Sequence, residues 1–258
     1  MPNLFEISII LVVIGVGAGI LGSLVGIGGG IIMSPTLSFL GLAPAQVAST
    51  SLIAVSSTST SSVIAYARLQ KIKYNIAIKM AIFSSPGAIF GALISTNIAP
   101  LDFKLFFAIL LFTTGVYLLF RSSILSERKV RTDSRWIKIF FYSSTVGAGI
   151  ISSLFGIGGG VIFVPLLVLI RGMNMTSAVP TAQLALMSTS LVGTITHVIL
   201  GNPEYSFALF LCIGSFVGAQ IGSKLLARFK DSTLAKIFAF LLIAVAIRFL
   251  LDLFNKYG

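Results

Sequence analysis

Residues 17–35 read GAGILGSLVGIGGGIIMSP, and residues 147–165 read GAGIISSLFGIGGGVIFVP. The two stretches are identical at 13 of 19 positions. Each sets a Gly-Ile-Gly-Gly-Gly break inside an apolar run, where lipid favours an uninterrupted helix because no water is present to satisfy freed backbone groups. A pair of broken apolar segments at corresponding places in two halves of a chain points to a transporter's binding site.

The surrounding composition fixes the class. The chain has 258 residues, 56% of them hydrophobic and 10% charged, with a mean hydropathy of +1.05, which describes a polytopic membrane protein. Apolar segments are expected over 5–24, 31–42, 46–67, 74–98, 103–120, 136–155, 161–170, 178–200, 205–227 and 233–251. Most reach the roughly 20 residues of a spanning helix. The segments 31–42 and 161–170 fall short and directly follow the glycine breaks, so they read as half-helices. The first segment lacks a basic leader and a small-residue cleavage site, and it belongs to the internal repeat, so it is read as part of the mature protein.

The duplication continues at a shift of 131. Thr50 matches Thr181, Ser57-Thr58-Ser59 match Ser188-Thr189-Ser190, Tyr74 matches Tyr205, Gly87 and Gly91 match Gly218 and Gly222, and Phe107-Ala108 match Phe238-Ala239. The expected organisation is a first transmembrane repeat over 1–121, a basic cytoplasmic linker over 122–134 and a second repeat over 135–258. Basic residues change loops between the halves. The first half gathers Arg68, Lys71, Lys73 and Lys79 after its third segment, whereas the second gathers Lys224, Arg228, Lys230 and Lys236 one loop later. Cytoplasmic loops collect Lys and Arg, so the exchange predicts inverted repeats. Each would be a glycine-broken helix pair plus three spanning helices, placing 15 of 18 Lys and Arg on the cytoplasmic side. A model of eight full crossings accommodates fewer. The net charge of +11 is then membrane-surface anchoring, and no nucleic-acid partner is implied.

The breaks point to an anion. Their glycines expose backbone amides at the starts of the half-helices, where the helix dipole places about half a positive charge. Gly26, Gly28, Gly29 and Gly30, with Gly156, Gly158, Gly159 and Gly160, are therefore candidate binding residues; Gly87, Gly91, Gly218 and Gly222 read as helix-packing positions. A second polar element is residues 49–62, with ten Ser or Thr in fourteen. Many of these hydroxyls are expected to bond back to their own helix. The repeat-matched set (Thr50, Ser57, Thr58, Thr181, Ser188 and Thr189, with Gln183) is the candidate cavity lining. No Asp or Glu falls within an expected span, so nothing repels an anion and no carboxylate relay is available. His197, matched by Tyr66, is the candidate proton-coupling residue, with simple hydrogen bonding the competing reading. Cys212 alone supplies neither a disulfide nor a metal site, and no cofactor is implied. The glycine run follows no strand and precedes no Lys-Ser/Thr, so a phosphate-loop enzyme is not indicated.

The doubled G-x-G-G-G followed by proline at Pro35 and Pro165, the Pro180-Thr181-Ala182-Gln183 helix start and the chain length together resemble the sulfite exporter TauE/SafE family. The resemblance covers essentially the whole chain. It implies a multi-pass transporter of the bacterial or archaeal inner membrane for sulfur-containing anions such as sulfite, thiosulfate, sulfoacetate or other organosulfonates. The repeated glycine breaks and the Ser/Thr-lined helices lead to the expectation of alternating access, one half rocking against the other, as an exporter driven by an ion gradient. Thiosulfate importers of the family are described as relaying substrate through cysteines, and the lone Cys212 departs from that pattern. The partners implied are a small anion, lipid and a coupling ion such as the proton, and a homo-oligomer is compatible. A channel-like uniporter and a non-transporting membrane scaffold are the alternatives.

Overall fold

The computed structural model describes residues 4–122 and 135–257. The linker expected over 122–134 lies, but for Ser122, outside them. The described residues form ten α-helices: α1 Leu4–Val25, α2 Gly30–Phe39, α3 Pro44–Arg68, α4 Tyr74–Ser95, α5 Pro100–Ser122, α6 Arg135–Phe155, α7 Gly160–Leu169, α8 Met175–Ile199, α9 Tyr205–Leu225 and α10 Asp231–Tyr257. No strand occurs among them. All ten follow the expected segments. Five helices (α4, α6, α8, α9 and the Glu6–Val25 stretch of α1) are long and apolar enough to cross a membrane. The 25 residues of α3 have the length, but its hydroxyls make it more polar.

The half-helices exist because glycine ends one helix and begins the next. Gly26, Gly28 and Gly29 take φ of 86°, 78° and 83°, and Gly156, Gly158 and Gly159 take 73°, 79° and 75°. That left-handed region is costly for any residue with a Cβ. Downstream, each half-helix is only ten residues long and carries an internal proline, Pro35 or Pro165.

The long helices pack mainly on helices of the other half, while α2 and α7 pack on α3 and α8 of their own. α1 lies on α9 and α4 on α6; α3 lies on α9 and α4 on α8; α3 meets α8 and α5 meets α10. Exchanging the two halves turns α1–α9 into α4–α6 and α3–α9 into α4–α8, and maps α3–α8 and α5–α10 each onto itself. Hydrogen bonds and close approaches give the directions. Gly15 faces Leu211 and Gly19 faces Ser215, so α1 and α9 run parallel; Gly87 faces Val146 and Gly91 faces Ile150, so α4 and α6 do too. Ser57 and Ser61 of α3 donate to the carbonyls of Cys212 and Phe216, again in parallel register. By contrast, the equivalent helices α5 and α10 run antiparallel, with Phe107 packed on Phe249 at 5.2 Å between ring centroids while Gly115 faces Ala239 and Ile243. The groups α1–α3–α9 and α4–α6–α8 each draw on both halves, and α3 packed on α8 joins them.

Glycine makes the parallel seams possible. A Cβ on Gly87, Gly91, Gly149, Gly214, Gly218 or Gly222 would meet facing backbone at well under normal contact distance. Small residues that admit such backbone approach are the main source of helix association in lipid, where hydrophobic driving force between helices is weak.

Candidate functional site

The two breaks cross each other at the centre of the bundle. A Cβ on Gly30 would stand 2.6 Å from Ile157 Cα, and one on Gly160 would stand 2.6 Å from Ile27 Cα. At the middle of the crossing, Gly28 and Gly158 both lie against the same two side chains, Val55 of α3 and Leu186 of α8. Those residues are themselves equivalent at the 131 shift. The eight predicted glycines therefore come together as one buried, two-fold-like unit, closed on the axis by Val55 and Leu186.

Long helices wall this unit on both sides. Ala48, Ser51 and Val55 follow one face of α3 toward the second break, and Val179, Gln183 and Leu186 follow one face of α8 toward the first, at the three- and four-residue spacing that keeps side chains on one stripe. The polar groups differ between the two walls. Ser34 and Ser51 donate to the carbonyls of Phe155 and Gly156, each at 2.8 Å, and so satisfy acceptors left over where α6 ends. At the first break Gln183 Nε2 donates to Gly22 O at 2.8 Å, and Val164 and Val179 pack on Gly26. Neither half-helix has a side-chain cap: Gly29 and Gly159 hold the N-cap positions. The first amides of both half-helices therefore have no side-chain acceptor among the described residues, and none of the buried described side chains is Asp or Glu. Chemically the arrangement offers neutral donors and two helix dipoles to a small anion.

The hydroxyls predicted from the repeat are spread more widely. Thr50 accepts from the backbone N–H of Glu204 at 3.0 Å and Thr181 from that of Lys73 at 3.1 Å, so the matched pair caps the starts of α9 and α4. Ser57 hooks α9. Thr58 and Thr189 bond back to Ala54 and Ala185, and Thr189 also meets Ser84 of α4. Ser188 is half-buried. Of this set, Gln183 is the residue whose side chain reaches a break. Not singled out from the sequence are Ser34 and Ser51, which bond the second break, and Ser152, buried beside it with its hydroxyl unpartnered. They have no counterpart in the other half, where Val164, Ala182 and Gly22 stand, and this mismatch is the signal that marks them.

His197 is fully buried, with Nε2 at 3.1 Å from Ser153 O and Nδ1 at 3.2 Å from Asn202 Nδ2. The neutral tautomer with Nε2–H donating and Nδ1 accepting satisfies both contacts. Its counterpart Tyr66 donates to Ser23 O at 2.8 Å, and Ser23 and Ser153 are themselves equivalent. A tyrosine thus holds the first break by the bond that His197 makes at the second. His197→Ala is expected to lower stability by about 1–3 kcal/mol, the cost of a buried carbonyl left unpaired. A thermal melt against the exposed Ser143→Ala checks it; equal melting would remove the strut role. Cys212 is half-buried on α9 and its thiol is free.

Comparison with known proteins points to a membrane transporter. A family model described as sulfite exporter TauE/SafE matches residues 11–249. The chain is 29% identical to the probable membrane transporter protein YunE of Bacillus subtilis, covering 92% of this chain and 95% of that one. It is 27% identical to the probable membrane transporter protein MJ0441 of Methanocaldococcus jannaschii, over 84% and 85% of the two chains. It is also 25% identical to the probable membrane transporter protein YfcA of Escherichia coli, over 81% and 76%. No solved structure matches the chain.

Proposed function

The chain belongs to the sulfite exporter TauE/SafE family of membrane transporters, and on that premise we propose that it moves small sulfur-containing anions, such as sulfite or an organosulfonate, across the cytoplasmic membrane by alternating access at the crossed glycine breaks. The observation that carries the reading is the pair of uncapped half-helix starts meeting at one buried centre free of carboxylates. Amides fixed at helix N-termini hold an anion without a full positive charge. Release toward either side is then not opposed by a buried salt bridge, whose breaking would cost several kcal/mol.

The halves lie inverted in the bilayer in this reading. Support comes from the parallel seams of α1 with α9 and α4 with α6, and from the antiparallel register of the equivalent helices α5 and α10. The bodies that rock are then α1–α3–α9 and α4–α6–α8 rather than the two sequence halves, because the glycine seams lock α9 to α1 and α4 to α6. Val55 and Leu186 close the centre between them. Cations stand beside the outer ends of both half-helices. Arg171, just past α7, packs over Phe141 at 4.6 Å; Lys104 and Arg248 approach Phe39, at the end of α2, at 5.8 and 5.2 Å. Positive charge at each mouth raises the local concentration of an anion.

Radiolabelled sulfite flux into proteoliposomes, with sulfoacetate and acetate as competitors, tests the assignment. Saturable flux inhibited by the sulfonate and not by acetate is expected. Ohmic current without saturation would instead indicate a channel-like uniporter, and no flux for any sulfur oxyanion would remove the substrate class. Both ring nitrogens of His197 are engaged in structural bonds, so acceleration by an imposed pH gradient, if seen in the wild type, is expected to survive in His197→Gln. Its loss there would assign proton coupling to the ring.

A further inference from the structure

We propose that the anion is seated asymmetrically, at the second break, with the Ser152 hydroxyl as its side-chain donor; this rests on the transport reading above. Gly22 and Ser152 hold equivalent positions four residues before their glycine runs. In the first break the Gly22 carbonyl accepts the amides of Gly26, Ile27 and Gly28 at 3.0, 2.8 and 3.1 Å. The bare Cα of Gly22 admits the loop so closely that a Cβ there would stand 2.6 Å from Gly29 Cα. That break is folded onto itself.

At the second break a side chain occupies the corresponding space. The Ser152 carbonyl accepts from Ile157 at 3.2 Å, and no backbone acceptor is found among the described residues for the amide of Gly158, whose counterpart Gly28 is bonded. The loop stands off, with Ser152 Cβ 3.3 Å from where a Cβ of Gly159 would be. Ser152 is fully buried, and its hydroxyl has no hydrogen-bond partner. A buried donor without an acceptor is rare in a native fold and calls for a ligand, ion or water to satisfy it. Here it lies beside the uncapped start of α7, a ten-residue helix, and beside the left-handed glycines Gly158 and Gly159, the first with no backbone acceptor for its amide among the described residues. The missing acceptor is therefore an anion, and an oxyanion of sulfur has the several oxygens needed to take the hydroxyl and the amides together.

Thermal melting of the purified protein in detergent, titrated with sulfite, tests the seat. In the wild type sulfite is expected to raise the melting temperature. Ser152→Ala should need about ten-fold more sulfite for the same shift, the loss of one hydrogen bond to a charged group, while its ligand-free melting temperature is not lowered, because the hydroxyl had no protein partner to lose. Ser152→Gly, which installs the residue the first break already accommodates, should weaken sulfite further as the loop folds onto itself. Ser153→Ala, whose hydroxyl is buried on the neighbouring position, should titrate like the wild type. If Ser152→Ala responds to sulfite as the wild type does, or melts lower without it, the hydroxyl serves a water or the fold and the seat is refuted. If sulfite, thiosulfate and sulfoacetate all leave the wild type unshifted, the transport reading fails and the seat with it.

Discussion

Gly158→Leu is expected to reduce sulfite flux at least 100-fold while leaving a protein that still inserts and purifies. Gly158 sits at φ 79°, and its Cβ would stand 2.5 Å from Val55 Cγ1 and 3.2 Å from Leu186 Cγ. The left-handed backbone costs a side-chain-bearing residue about 1–2 kcal/mol. A leucine would in addition force α3 and α8 apart at the point where both breaks meet, and overpacking of this kind costs roughly 1–3 kcal/mol. Function suffers more than folding because the displaced elements are the amides and the two closing side chains. Gly147→Leu provides the control. It lies in the same repeated stretch, yet a Cβ there meets nothing within 4 Å, and its flux should match the wild type. Initial rates per unit of folded protein decide the matter. Wild-type flux in a correctly folded Gly158→Leu would dissociate the breaks from transport.

Gly218→Leu should have the opposite signature, with loss of the folded protein itself. Its Cβ would lie 2.9 Å from Val16 C and 3.0 Å from Ile20 N, both backbone atoms that no rotamer change can move. Separating α1 from α9 forfeits a close helix seam in an environment where packing and not water drives association. Destabilisation beyond about 3 kcal/mol is expected, in the range of severe core disruption. The readout is the yield of monodisperse protein after solubilisation, with Gly91→Leu at the α4–α6 seam behaving alike because Ile150 and Leu154 backbone crowd it in the same way. A monodisperse Gly218→Leu that melts with the wild type would overturn the seam as a source of stability.

The helices and the two breaks were legible in sequence because glycine at a left-handed φ is a backbone requirement that residue type records directly. Half-helices over 31–42 and 161–170 correspond to Gly30–Phe39 and Gly160–Leu169 for that reason. What repetition alone hid is where each helix finds its partner. Thr50 reaches the amide of Glu204, 154 residues away, and no local pattern announces a cap supplied by another helix. Selecting hydroxyls by their recurrence favoured residues with shared structural tasks, such as Thr50 and Thr181. Ser34 and Ser51, whose hydroxyls bond the second break, and Ser152, buried beside it, are residues the duplication does not repeat. The sequence halves likewise suggest two moving bodies, yet α4 and α9 each pack on a helix of the other half, since the glycines that permit the seams lie opposite α6 and α1.

The most direct test of a sulfur-anion site at the crossed breaks is to locate a heavy analogue of sulfite there. Crystals of the protein soaked in selenite, measured at the selenium edge, should show one anomalous peak within hydrogen-bonding distance of the backbone amides between Gly158 and Val161. A peak confined to the mouths beside Arg171 or Phe39, or no peak at a concentration of selenite that inhibits sulfite flux, would contradict the account.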